Sequence, residues 1–196
     1  MYKKQMALQK ALCLLAVCSG ALVFLYALGM MTDLYDTLYS TMMNAADLTQ
    51  TDVPGSAVYY NMQEFNAVFL RFSIVSILLA CLLYLTNTHI RRRYYIGNYI
   101  AVAAFAGWNL NLAIWSHGYI EIFKKQFLEV DFAALRVHAD TWKTAYTEST
   151  FWFDAHYGVF AVTFLISALL ILNAFWKISL MTAEARLIRD GKEAAA

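Results

Sequence analysis

The chain has 196 residues, 61% of them hydrophobic and 15% charged, whereas an ordinary soluble domain carries about 25% charged and 45–50% apolar residues. A net charge of +1 gives no footprint for a nucleic-acid partner. Four long apolar segments, a single proline and no period-two alternation predict an all-α membrane protein and argue against a membrane β-barrel.

The first apolar segment covers residues 11–31 and follows Lys3, Lys4 and Lys10. Its basic start fits a secretory signal, but the run is about twice as long as the 7–15-residue apolar region of a signal peptide. Val17 stands where a lipoprotein cleavage site before Cys18 would want a small residue, so the segment is expected to remain as a helix. Leu34, Tyr35, Leu38, Tyr39, Met42 and Met43 continue the helical spacing outward. Residues 47–56, with Pro54-Gly55, then form a turn.

The remaining spans are expected at residues 67–86, 95–115 and 157–176, with outer segments at 32–66 and 116–156. Within 116–156, Ile120, Phe123, Phe127 and Val130 extend the third span, and Phe132 to Trp142 gives a short crossing helix. Thr147-Glu148-Ser149-Thr150 offers an N-terminal cap for the fourth span. The expected fold is a four-transmembrane-helix bundle, its helices extended into a small extracellular helical cap.

Orientation follows from the basic residues, which accumulate in cytoplasmic loops. The termini and the link between spans two and three hold ten of the 15, including Arg91, Arg92 and Arg93, while residues 32–66 hold none. Eleven of the 14 acidic residues lie in the two outer segments. Both termini are therefore expected in the cytoplasm and the protein in the cell membrane.

Several residues carry possible chemistry. Arg71 sits about one turn inside the second span, where charge marks function or a partner such as Glu64 or Asp154, although arginine near an interface also reaches water by snorkelling. Asn109 and Asn111 are two residues apart and point in different directions on one helix. One is expected to bond a neighbouring helix and the other to face a cavity or another subunit. His117 and His156 fall at similar height on two helices and are the candidates for a cofactor such as haem. No Glu-x-x-His motif supports them, so neither a metal site nor a cofactor is expected. The methionines, among them Met30, Met31, Met42, Met43 and Met62, read as gap-filling side chains rather than Cu(I) ligands. Cys13, Cys18 and Cys81 lie within apolar runs without metal or disulfide spacing.

Phe151, Trp152 and Phe153 are consecutive on a helix, so at least one must face lipid or a partner. Ala16 with Gly20, Ser76 with Ala80, Gly97 with Ala101 and Ala103 with Gly107 place small residues one turn apart, as close-packed membrane helices do.

The stretches Met31-Thr32-Asp33-Leu34-Tyr35, Leu85-Thr86-Asn87-Thr88-His89-Ile90-Arg91-Arg92-Arg93-Tyr94-Tyr95-Ile96-Gly97-Asn98-Tyr99 and Ser149-Thr150-Phe151-Trp152-Phe153-Asp154 resemble an uncharacterised group of small bacterial four-helix membrane proteins that accompany carbohydrate ABC importers. The resemblance spans most of the chain and implies an accessory subunit beside transporter permeases. The residues themselves show no nucleotide-binding motif and no catalytic set. The expected function is a non-catalytic accessory or assembly subunit of a larger membrane complex. Alternatives are a small homo-oligomeric channel or carrier with Arg71, Asn109 and Asn111 lining its path, or a haem-binding membrane oxidoreductase subunit.

Overall fold

A computed structural model of the chain describes residues 2–33, 53–87, 96–142 and 146–193. These form five α-helices: α1 (Tyr2–Asp33), α2 (Ala57–Asn87), α3 (Ile96–Leu128), α4 (Phe132–Trp142) and α5 (Phe151–Glu193). The expected outward helix at 34–43, most of the turn at 47–56 and the arginine link at 91–93 lie outside the described residues.

Three helical stretches are long and apolar enough to cross a membrane: Lys3–Thr32, Ala57–Asn87 and Phe151–Asp190. Helix α3 has the length, 33 residues, or about 50 Å at 1.5 Å per residue. Asn98, Asn109 and Asn111 interrupt its apolar run. Large apolar side chains such as Leu14, Leu25, Leu78, Leu85, Ile114, Leu165 and Leu172 point outward. That arrangement suits contact with lipid rather than water.

The four long helices pack as a ring, α1 against α2 and α5, and α3 against α2 and α5. The end carrying α4 is filled by aromatic rings, with Tyr26, Phe65, Phe69, Phe123, Phe127, Phe153 and Phe160 in one buried cluster. The half nearer the termini is filled by smaller side chains, among them Cys13, Ala16, Ala80, Ala101 and Leu170. Met30 and Met62 belong to the aromatic core, as gap-fillers would.

Local chemistry explains where the helices begin. Asp131 caps α4, its Oδ1 accepting from the Ala133 and Ala134 amides at 3.0 and 3.1 Å. At the start of α5, Ser149 Oγ accepts from the Phe151 amide at 3.2 Å, and the Thr150 carbonyl begins the helix ladder. The Pro54-Gly55 turn before α2 packs on the α3–α4 junction, where the Asp131 amide donates to the Pro54 carbonyl at 3.0 Å. Gly55 has φ 82°, and a Cβ there would stand 2.8 Å from the Val130 Cα, so both conformation and space require glycine.

Two of the small-residue pairs meet each other. A Cβ on Gly20 would lie 3.3 Å from Ile77 Cα and 3.4 Å from the Ser76 carbonyl, while Ala16, Ser76 and Ala80 are fully buried. The α1 and α2 backbones therefore run in close contact along this seam. Several polar groups inside the bundle bond one another. Ser76 donates to Asn109 Oδ1 at 3.1 Å and Gln5 to Asn173 Oδ1 at 3.4 Å; Asn173 in turn donates to Gln9. Lys177, one turn along α5 from Asn173, is buried as well.

Candidate functional site

The α3–α5 seam gathers the polar side chains with chemical potential. Its head is set by the capped start of α5, which fixes the three consecutive aromatics. Phe153 turns inward and is fully buried, 5.0 Å from the Phe127 ring centroid. Trp152 lays its indole over Gly29 of α1, and its carbonyl accepts the Tyr26 hydroxyl at 2.9 Å. Phe151 alone points outward, 61% exposed. Of the aromatic run expected to dock a partner, two members therefore serve the chain's own packing.

One turn along, Asp154 is held by Lys124 of α3 at 2.6 Å and by the Thr150 hydroxyl at 2.7 Å. The hydrogen bond to Asp154 holds the Lys124 ammonium above its ordinary pKa. Asp154 is thus not the partner of Arg71. That arginine is exposed and has no ion pair or hydrogen bond among the described residues.

Beside this pair lie His117, Glu121 and His156. His117 and Glu121 are four residues apart on α3 and so share a face; His156 faces them from α5 and is 1% exposed. His156 Nδ1 is bonded to the Phe153 carbonyl. A carbonyl can only accept, so Nδ1 carries the proton and Nε2 presents a lone pair. That Nε2 lies 2.9 Å from His117 Nδ1 and 4.0 Å from Glu121 Oε1. Tyr157 donates its hydroxyl to the same Glu121 oxygen at 2.9 Å. One ligand atom from each of the three residues falls within 4.8 Å of the others.

The two histidines expected to lie at one height are thus brought into contact. Their nitrogens bond each other, which leaves no place between the rings for a porphyrin. Sequence reasoning missed Glu121, because it sought Glu-x-x-His; the signal was the four-residue step from His117 to Glu121. Tyr157 and Lys124 were missed because their roles depend on which faces of α3 and α5 meet.

Below the histidines, a cleft of about 310 Å³ is lined by Ala113, Ile114, Phe160, Ala161 and Phe164. Phe164 also borders a larger groove of about 620 Å³ between the same helices. Ala103, Ala106 and Gly107 lie in its α3 wall with Tyr99, Val102 and Leu110; Ser167, Ala168 and Ala174 lie in its α5 wall with the bulkier Ile171 and Phe175. A Cβ built on Gly107 meets nothing within 4 Å.

Asn109 is buried, joined to Ser76 and to the Phe105 carbonyl. Asn111 is exposed and donates to the Gly107 carbonyl of its own helix at 2.8 Å. Comparison with protein-family models, curated proteins and solved structures returned no match.

Proposed function

We propose that this chain is a non-catalytic assembly subunit of a larger membrane complex, and that a helix of a partner subunit occupies the groove between α3 and α5. The observation that carries this reading is the unfilled Ala103–Gly107 pair. Hydrophobicity gives helices in lipid no reason to associate, so small residues at close backbone contacts do that work. In this bundle the Ala16–Gly20 and Ser76–Ala80 pairs fill each other, whereas Gly107, like Gly97 one small-residue pair earlier on α3, is left open. The groove, about 620 Å³, has Ala103, Ala106 and Gly107 on one side and Phe164, Ile171 and Phe175 on the other, so a partner helix can bring its backbone close to α3 while its side chains pack on the bulky residues of α5. Phe151, exposed at the head of the seam, adds an aromatic contact of the kind enriched at interfaces.

The same reading takes all four long helices as spans, with α4 as part of an extracellular cap and both termini in the cytoplasm of the cell-membrane protein. Its support is the basic-residue asymmetry and the length of α3. The partner class comes from the resemblance to small proteins beside carbohydrate ABC importers, which points to transporter permeases.

The test is recovery of partner subunits in mild detergent from the native membrane. Gly107→Leu, which fills the groove, should lose a stoichiometric partner that the wild type and Leu78→Ala both keep. A wild type that purifies as a lone chain, or a partner retained by Gly107→Leu, would remove the basis for the assembly role.

A further inference from the structure

We propose that His117, Glu121 and His156 bind one divalent transition-metal ion of the zinc class at the head of the α3–α5 seam. The inference is independent of the partner helix, and it departs from the expectation that the chain has no metal site.

Three features carry it. The donor set is two imidazoles and one carboxylate, the composition of open three-ligand zinc sites and of the two-histidine, one-carboxylate triads of other divalent metals. The spacing also fits. Two nitrogens each about 2.0–2.1 Å from one tetrahedral ion stand roughly 3.3 Å apart; His117 Nδ1 and His156 Nε2 are 2.9 Å apart. Glu121 Oε1, at 4.0 Å from His156 Nε2 and with all three ligand atoms within 4.8 Å of one another, needs to close by at most about 1.5 Å to reach that tetrahedral spacing, within the reach of a half-buried side chain on the same face as His117.

The third feature is orientation. A metal-bound histidine usually donates its other ring nitrogen to a carbonyl or carboxylate, which fixes the tautomer and raises ligand basicity. His156 already does this through Phe153, and Tyr157 does the corresponding work for Glu121. Without an ion, His117 Nδ1–H fills the space by donating to the bare His156 Nε2. With the ion, His117 takes the other neutral tautomer and turns its Nδ1 lone pair to the metal, so no net proton is gained or lost. The three ligands come from α3 and α5, hence the ion would tie together the two helices that flank the open groove. Its remaining position borders the apolar cleft of about 310 Å³ below the two rings.

The experiment uses the full chain without a polyhistidine tag, stripped with chelator in detergent and titrated with Co²⁺ and then Zn²⁺. The expected result is one Co²⁺ per chain with the intense visible absorption of a four-coordinate ion, displaced by one equivalent of Zn²⁺. His117→Ala, at an exposed position, and Glu121→Gln should each weaken binding about tenfold or more while melting within a few degrees of the metal-free wild type. His156→Ala, at a buried position, serves only as a folding control. The proposal is overturned if the wild type binds no stoichiometric ion. It is also overturned if both variants retain wild-type affinity, or if thiolate charge-transfer bands assign the ion to Cys13, Cys18 or Cys81. Partner recovery by the metal-free protein separates failure here from failure of the assembly role.

Discussion

Ala16 with Gly20 on α1 and Ala103 with Gly107 on α3 are the same pattern, two small residues one turn apart on an apolar helix. At Gly20 an added Cβ would press on the Ile77 backbone at 3.3 Å, whereas at Gly107 it would meet nothing within 4 Å. The first seam is closed by a matching pair, Ser76 and Ala80, on α2. The second faces Phe164, Ile171 and Phe175, bulky side chains that stand off from α3 and leave the groove. Small residues thus permit close approach but do not secure it; the opposing surface decides whether two backbones meet. The polar side chains differ in parallel. Deep in the closed part of the bundle, Gln5 and Gln9 bond Asn173, and Ser76 bonds Asn109. At the head of the open seam, His156 is held by the Phe153 carbonyl and turns its other nitrogen to His117 and Glu121.

Four substitutions sharpen this contrast, beginning with the largest expected effect. Phe127 anchors the α4 end of the open seam, touching Tyr59, Phe132 and Phe153. Truncating a fully buried phenylalanine costs about 3–5 kcal/mol, so Phe127→Ala should give the largest loss in denaturation of the purified protein. A change below about 1 kcal/mol would mean that this end is loosely packed.

Gly20→Leu should come next, because overpacking a filled contact costs about 1–3 kcal/mol. Gly107→Leu in the same isolated protein should leave stability unchanged within the scatter of surface substitutions, about 0.5 kcal/mol. Equal losses at the two glycines would erase the distinction between the seams.

The smallest loss of stability, as distinct from the null expected at Gly107, is expected at the buried hydroxyl. Interhelical hydrogen bonds in a membrane bundle average about 0.6 kcal/mol with a maximum near 1.7. Ser76→Ala should therefore cost less than Gly20→Leu, measured by the same denaturation. A loss above about 2 kcal/mol would make Asn109 a structural keystone rather than one tie among several.

Much of the architecture was legible because apolar runs of spanning length have few alternative folds. The crossing helix α4 followed from Phe132 and Leu135, and the α5 start from Ser149 and Thr150. Helix ends were less legible. The apolar pattern marks only the lipid-facing stretch, whereas α1 begins at Tyr2 and α5 continues to Glu193 through charged residues and alanines that favour helix without membrane burial. Helix rotation was the main obstacle at the candidate site. That Asn109 and Asn111 point apart follows from helix geometry, but which of them is buried depends on the packing of α2. Likewise, His117 and His156 were identifiable by height, while Glu121 joins them only because α3 turns that face to α5. The roles of Trp152 and Phe153 depended on Gly29 and Phe127, residues distant in the chain.

The most direct test of the open seam is site-specific photo-crosslinking in the native membrane, with a photoreactive side chain at Ala103 in the groove and at Leu78 on the outward face of α2. The account predicts a discrete protein adduct from Ala103, abolished by Gly107→Leu, and only lipid adducts from Leu78. Lipid adducts alone from both positions would contradict it and make the groove part of the chain's lipid-facing surface.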